Sequence, residues 1–336
     1  AANSAAPDFV FPFRNMDFDV FEWATKQSSH WKPKYYLALL LKDRNKVAQS
    51  KAIFTSLQGE PDYAPFYATR AALFMSETTQ SSILTATIAD LNKAIALDKN
   101  QWRYIKTLTE LYNNQFAFAK ALEVVAPFYK VHTDNYIIGM LYAKTLMHNK
   151  QYTTADKLLA TLNIIPFEGA TIGHELYREA KLMQALVQLN EKNYTAALNF
   201  INEAKLWPEN LGAGKPYDED IDIRTENWLA YLCYKNLNNT KAANDMLLAV
   251  VNFMPIRSNT ISNFYAGNHL ISLWAYAALN QSSQGTEWIK KQQAKFPDNK
   301  IMQWASSSYQ QKKVQPISIQ SEDATVRIIK QLSLTK

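Results

Sequence analysis

The stretch Glu175–Pro208, ELYREAKLMQALVQLNEKNYTAALNFINEAKLWP, decides the fold. Apolar residues recur at three- and four-residue intervals on either side of a polar turn at Asn190–Asn193, which predicts two amphipathic helices in a hairpin. In the second helix Tyr194, Ala197, Ile201 and Ala204 share one face. Small side chains at Ala197 and Ala204 let paired helices approach closely, while Tyr194 and Ile201 wedge into the neighbouring groove. A single hairpin cannot bury its apolar stripe alone, so the stretch demands copies on either side.

Counting outward from it, the close-contact position of each first helix falls at Ala38, Ala72, Thr109, Ala143, Ala185, Tyr231 and, more loosely, Ala275. The steps between them are 34, 37, 34, 42, 46 and 44 residues. Two of these equal the tetratricopeptide period of about 34 residues. The expected fold is therefore all-α: a right-handed α-solenoid of about seven tetratricopeptide-like hairpins with end caps. Residues 33–312 would form the solenoid, 1–32 a linker and N-terminal cap, and 313–336 a tail and closing helix. The extra length of the last three steps falls in Asn163–His174, Trp207–Asp222 and Phe253–Gly267. Each combines Pro with Gly or Asn, as loops do, and each joins one hairpin to the next. At the ends, Phe9–Phe13 and the VQPISI segment read as extended, Asp17 as the start of a capping helix with Val20, Phe21 and Trp23, and ATVRIIKQLSL as the closing helix.

Composition agrees. Apolar residues make up 47% of 336, only 8 residues are glycine, and the 12 prolines fall mainly between predicted helices. That suits an all-α chain better than an all-β one. Basic residues outnumber acidic by 36 to 30 without long like-charge runs, so no nucleic-acid partner is indicated. Cys233 is the sole cysteine, which excludes an intrachain disulfide, and its setting in WLAYLCYKNL predicts a buried small hydrophobe. No apolar run approaches the roughly 18 residues of a transmembrane helix. The opening AANSAAP has neither the charged nor the apolar region of a signal peptide and reads as a linker, as in a mature or excised piece of something longer.

Several longer phrases carry a family resemblance: FVFPFR at 9–14, EWA at 22–24, WKPKYYLAL at 31–39, GEPDYAPFYATRA at 59–71, PFEGATIGHELYREA at 166–180 and WPENLGAGKPYD at 207–218. Through them the chain resembles, over nearly its whole length, the C-terminal tetratricopeptide region of large bacterial proteins whose N-terminal part is a mutarotase-like β-sandwich. The resemblance implies a periplasmic or secreted protein in a carbohydrate-handling setting, with this region as a scaffold. It implies no catalytic residues here.

The insertions hold the candidate functional residues. Gly212-Ala-Gly-Lys215 is not a phosphate loop, because Glu209 stands where the first glycine is needed and Pro216 replaces the metal-binding hydroxyl. Asp218, Asp220 and Asp222 have calcium-loop spacing, but Ile223 and Leu229 occupy the positions that need Gly and Glu. His174, Glu175 and Glu168 could serve acid–base chemistry or zinc, yet no second histidine lies within ligand spacing. Neither a metal site nor a cofactor is expected. Most aromatics, such as Tyr112, Tyr142, Trp228, Tyr234 and Trp274, fall on core positions. Trp207 and Tyr217 flank prolines instead and would anchor a contact surface. Equivalent joints of a solenoid emerge along one edge, so the three insertions are expected to form a binding ridge of Trp207, Lys215, Tyr217, Asp218, Asp220, Glu168, His174 and Arg257. The alternative is that the loops brace one another.

Two functions follow. One is a non-catalytic interaction scaffold for a partner protein, or for the sandwich domain of a longer parent chain, with a glycan as a further ligand. The other is a helical-toroid glycoside hydrolase or glycan-binding protein, with Glu168, Asp218 and Asp220 as acids.

Overall fold

The computed structural model describes residues 4–57, 61–253, 267–315 and 324–333. Among these, every regular element is helical. Seven consecutive helix pairs appear: α2 (Trp31–Asp43) with α3 (Val47–Ser56), α4 (Ala64–Phe74) with α5 (Ser81–Leu97), and α6 (Trp102–Asn114) with α7 (Phe118–Val131). They continue with α8 (Tyr136–His148) and α9 (Tyr152–Leu159), α10 (Ile172–Asn190) and α11 (Tyr194–Glu203), α12 (Arg224–Asn236) and α13 (Thr240–Val251), and α14 (Asn268–Ala278) and α15 (Ser282–Lys295). Before them stands α1 (Asn15–Gln27), and after them α16 (Lys300–Gln310) and α17 (Ala324–Ser333).

Six of the pairs close through one device. The middle residue of a three-residue turn takes a left-handed φ: Asn45, Phe116, Lys150, Lys192, Asn238 and Asn280, between 56° and 64°. The next residue's N–H then reaches back to a carbonyl five residues earlier, as in Lys46 N to Leu41 O at 2.8 Å and Asn193 N to Gln188 O at 2.8 Å. This satisfies carbonyls that the end of the first helix leaves without partners. The second pair differs, because α4 runs into a 3₁₀ turn, Met75–Glu77, before α5 begins.

The close-contact positions are buried at Ala38, Thr109, Ala143, Ala185, Tyr231 and Ala275. The second unit corrects the count: Ala71 is fully buried and Ala72 is exposed. One residue is about 100° of helix rotation, so a count one residue out of phase lands on the solvent side. Ala71 instead joins Leu91, Leu108 and Leu111 in one cluster, against which Val124 of α7 packs. In the opening stretch, Ala197, Ile201 and Ala204 are buried in the core.

The N-terminal segment is also corrected. Phe9 has φ 61° and Val10 N bonds Pro7 O at 3.4 Å, so the segment expected to be extended from Phe9 opens on a turn instead. Asp17 stands in the first turn of α1, and its carboxylate accepts from Phe13 N at 3.0 Å and Arg14 N at 2.9 Å. That caps a helix starting two residues earlier than the sequence suggests. Most of VQPISI lies outside the described residues.

The chain divides into two compact units. One is Ala1–Gln115 with Glu123–Phe128, the other Phe116–Leu122 with Tyr129–Lys336. No helix among the described residues is long and apolar enough to cross a membrane.

Candidate functional site

The candidate residues belong to the C-terminal unit, where α10 is the longest helix among the described residues. The first two insertions brace each other. Ile164 N donates to Asn210 O at 2.8 Å, and the Asn210 amide returns bonds to Leu159 O at 3.1 Å and Leu162 O at 2.8 Å. Two glycines make the approach possible. A Cβ on Gly173 would stand 2.3 Å from Leu211 O, and Gly212, at φ 68°, would put one 2.7 Å from Ile164 O. Both distances are shorter than any side chain tolerates.

On this joint His174 stacks against Trp207, ring centres 3.4 Å apart and 8° from parallel. Burial, then the charge of Arg178, push the His174 imidazole down to about 4, against a hydrogen bond that the ring donates to the Leu206 backbone, which raises it. His174 is therefore neutral at physiological pH, and Trp207 is half-buried beneath it. The remaining candidates lie apart from this stack. Tyr217 is 69% exposed, and Lys215 pairs with Asp218 at 2.7 Å in open solvent. Glu168 is exposed and Asp220 half-buried. Arg257 and most of the third insertion lie outside the described residues.

Asp222 turns away from Asp218 altogether. It is buried and clamps Arg224 through both oxygens, with bonds of 2.6 to 3.1 Å. Burial works against its charge, but Arg224 outweighs this and holds the carboxyl below its ordinary range. Arg224 also bonds Ser272 Oγ at 2.9 Å and approaches His269 Nδ1 at 3.3 Å. Burial, then Arg224, push His269 down to about 3, with Asp222 opposing. Asp218 and Asp222 thus face different partners, and no group of three carboxylates, histidines or cysteines gathers for a metal among the described residues. Cys233 is buried, and burial pushes its thiol up to about 11.

Three charges of α10, in the sequence Arg178-Glu-Ala-Lys181, tie four other helices to it. Arg178 forks onto the fully buried Glu226 of α12, Lys181 reaches Asp156 of α9 at 2.8 Å and Glu203 of α11 at 2.7 Å, and Glu179 receives Arg327 of α17 through two bonds of 2.5 Å. Sequence reading missed these pairs. Only charges at core-phase positions of α10 hinted at them.

Two apolar surfaces were also missed or misjudged. The first is the seat of α17, which leads into a cavity of about 1120 Å³ bordered by Trp228, Leu232, Trp274, Tyr309, Leu332 and Ser333. The second lies on α1, in the other unit. Its Phe21 packs on Tyr36 of α2 at 5.1 Å, and Phe18 lies under Arg44 and Lys46. On the rest of α1, Met16, Val20 and Trp23 are 64%, 55% and 63% exposed. These recur at i, i+4 and i+7, one helical face. Phe11 and Phe13 add two more exposed rings just before the helix.

The helix pairs and their shared turns define an all-helical repeat chain of tetratricopeptide-like hairpins, the α-solenoid class. Solved structures similar to it include the Naa15/Naa10 complex bound to HypK-THB, at 13% identity over 85% of this chain and TM-score 0.48. The chain spans only 40% of the length of that relative. The C-terminal part of a TPR repeat-containing protein from Cytophaga hutchinsonii matches at 14% identity, 73% of this chain and 92% of its own, TM-score 0.48. A tetratricopeptide repeat protein from Parabacteroides merdae matches at 9% identity, 88% and 100%, TM-score 0.45. No protein-family model matches the chain, and no curated protein does. The assignment rests on the hairpins themselves rather than on these likenesses.

Proposed function

We propose that the chain is a non-catalytic protein-interaction scaffold that docks through the aromatic face of α1. The supporting observation is the bare stripe of Met16, Val20 and Trp23, extended by Phe11 and Phe13. Helical repeat arrays need end caps with polar outer faces to stay soluble. A helix that leaves Met16, Val20 and Trp23 exposed along one face is likewise a surface made to be covered. The occupant is a partner protein or, as the family resemblance implies, a β-sandwich domain of a longer parent chain in a periplasmic or secreted carbohydrate-handling setting. The glycosidase alternative gains nothing from the site, since Glu168 is exposed and Asp218 is paired with Lys215 in solvent.

The test is capture by the isolated chain from an extract of cells that make it, against Met16→Ser/Val20→Ser/Trp23→Ser. A specific protein retained by the wild type and lost by the triple variant, with equal melting temperatures, supports the reading. Equal capture by both removes α1 from it.

A further inference from the structure

The closing helix α17 does not pack as the next member of the repeat. It lies on α10, and Glu179 and Arg327 meet across 148 residues of sequence. Thr325, Val326, Ile328, Ile329 and Leu332 are buried, Ala324, Arg327, Lys330 and Gln331 are half-buried, and Ser333 alone of its ten residues is exposed. Val326, Ile328, Ile329 and Leu332 belong to the same core cluster as Leu182 and Leu186 of α10 and Trp228 of α12. A helix this short is marginal by itself in water, so α17 owes its helicity to its seat.

The anchors 325, 328, 329 and 332 stand at i, i+3, i+4 and i+7. That is how an amphipathic helix is read by a groove. Arg327 adds a forked charge pair with the buried Glu179, which sets direction and register. The groove continues past the helix. Leu332 and Ser333 border the cavity, whose wall carries Trp228 and Trp274 with ring centres 5.6 Å apart, and α17 does not fill it.

We propose that the seat of α17 is a helix-recognition groove, held in cis by the chain's own C-terminal helix, for an amphipathic helix of a partner protein. That helix carries buried anchors at i, i+3, i+4 and i+7, the last three aliphatic as in Ile328, Ile329 and Leu332, an arginine for Glu179, and an aromatic residue one turn beyond the last anchor to enter the Trp228–Trp274 cavity. α17 supplies the first two features and lacks the third. The groove lies in the C-terminal unit and is independent of the α1 face, so failure of either reading leaves the other standing. A short tether gives a cis occupant an effective concentration in the millimolar range, which weakens a competitor of equal intrinsic affinity on the order of 100-fold.

The experiment uses the full chain and a fluorescein-labelled peptide of residues 321–336, with a Lys336→Trp version that places the aromatic one turn past Leu332. The full-length Ile329→Asp variant, in which α17 is evicted, is expected to bind the peptide at least tenfold more tightly than wild type. The Lys336→Trp peptide should gain a further threefold or more. Glu179→Arg in the evicted chain should weaken binding about tenfold, and an Arg327→Glu peptide should recover it. Equally weak binding to evicted and wild-type chains overturns the proposal. Should Ile329→Asp lose its helical circular dichroism, the wild-type chain still decides. Excess Lys336→Trp peptide must accelerate hydrogen exchange at residues 324–333, and unchanged exchange overturns the proposal. A wild-type dimer that exchanges α17 between copies would overturn the assignment of a separate partner and make the groove a self-association site.

Discussion

The helices α1 and α17 stand first and last, both are short and amphipathic, and they meet opposite fates. α1 is fixed by Phe21 and Phe18 against α2 and leaves Met16, Val20 and Trp23 in solvent. α17 buries its aliphatic side in the core of the C-terminal unit and forks Arg327 onto Glu179. An apolar stripe alone does not decide whether a helix is core or surface. What decides it is a matching groove with a matching charge. α17 has both, whereas among the described residues nothing covers the stripe of α1.

The largest effect should come from breaking the buried end. Ile329→Asp would set an unpaired carboxylate in a fully buried position, so α17 leaves its seat, and the lost burial should cost about 3–5 kcal/mol in a urea unfolding series. A variant within 1 kcal/mol of wild type would mean that α17 contributes little to the fold.

Acid should act on the same unit. His174 is held at about 4 and His269 at about 3, both below the ordinary 6.5, so the unfolded chain binds more protons than the folded one. Stability is therefore whole above pH 6.5 and falls as pH drops, through about 4 for His174 and about 3 for His269. The His174 contribution is on the order of 3 kcal/mol. His174→Phe should flatten the pH dependence of melting between 6.5 and 4. An unchanged slope would mean that His174 titrates normally.

The smaller effects separate bracing from binding. Trp207→Ala removes the ring stacked on His174 and should cost about 1–3 kcal/mol, whereas Tyr217→Ala should stay within about 0.5 kcal/mol of wild type. Equal melting temperatures for the two would make the Trp207 stack dispensable. At the bare end, Met16→Ser/Val20→Ser/Trp23→Ser should leave the melting temperature within about 2 °C. A large drop would show that the stripe is internal support.

The local parts of this fold are legible in sequence because their causes are local. Periodicity places all seven hairpins, and the turn residues Asn45, Asn238 and Asn280 are types that tolerate a left-handed φ. Close-contact positions hold except at Ala72, one residue out of phase with the buried Ala71. Cys233 is buried, as its apolar setting implies. The long-range parts are not legible. ATVRIIKQLSL announces an amphipathic helix, but nothing near it names Glu179 as its partner. In the same way Asp222 reads as one of three loop aspartates until Arg224 draws it inward. The insertions are recognisable as long joints, yet their mutual bracing depends on Gly173 and Gly212 meeting backbone from a distant segment. Proline and glycine content cannot announce that.

The central claim, that α1 is the docking face, is tested most directly by site-specific photo-crosslinking in the cell. The photoreactive residue benzoylphenylalanine is placed singly at Val20, at Trp23 or at Tyr217 of the full chain. A discrete protein adduct, or a crosslink into a preceding sandwich domain, at positions 20 and 23 but not at 217 is the predicted result. Adducts at 217 with none at 20 and 23 would contradict the account and return the binding surface to the insertions.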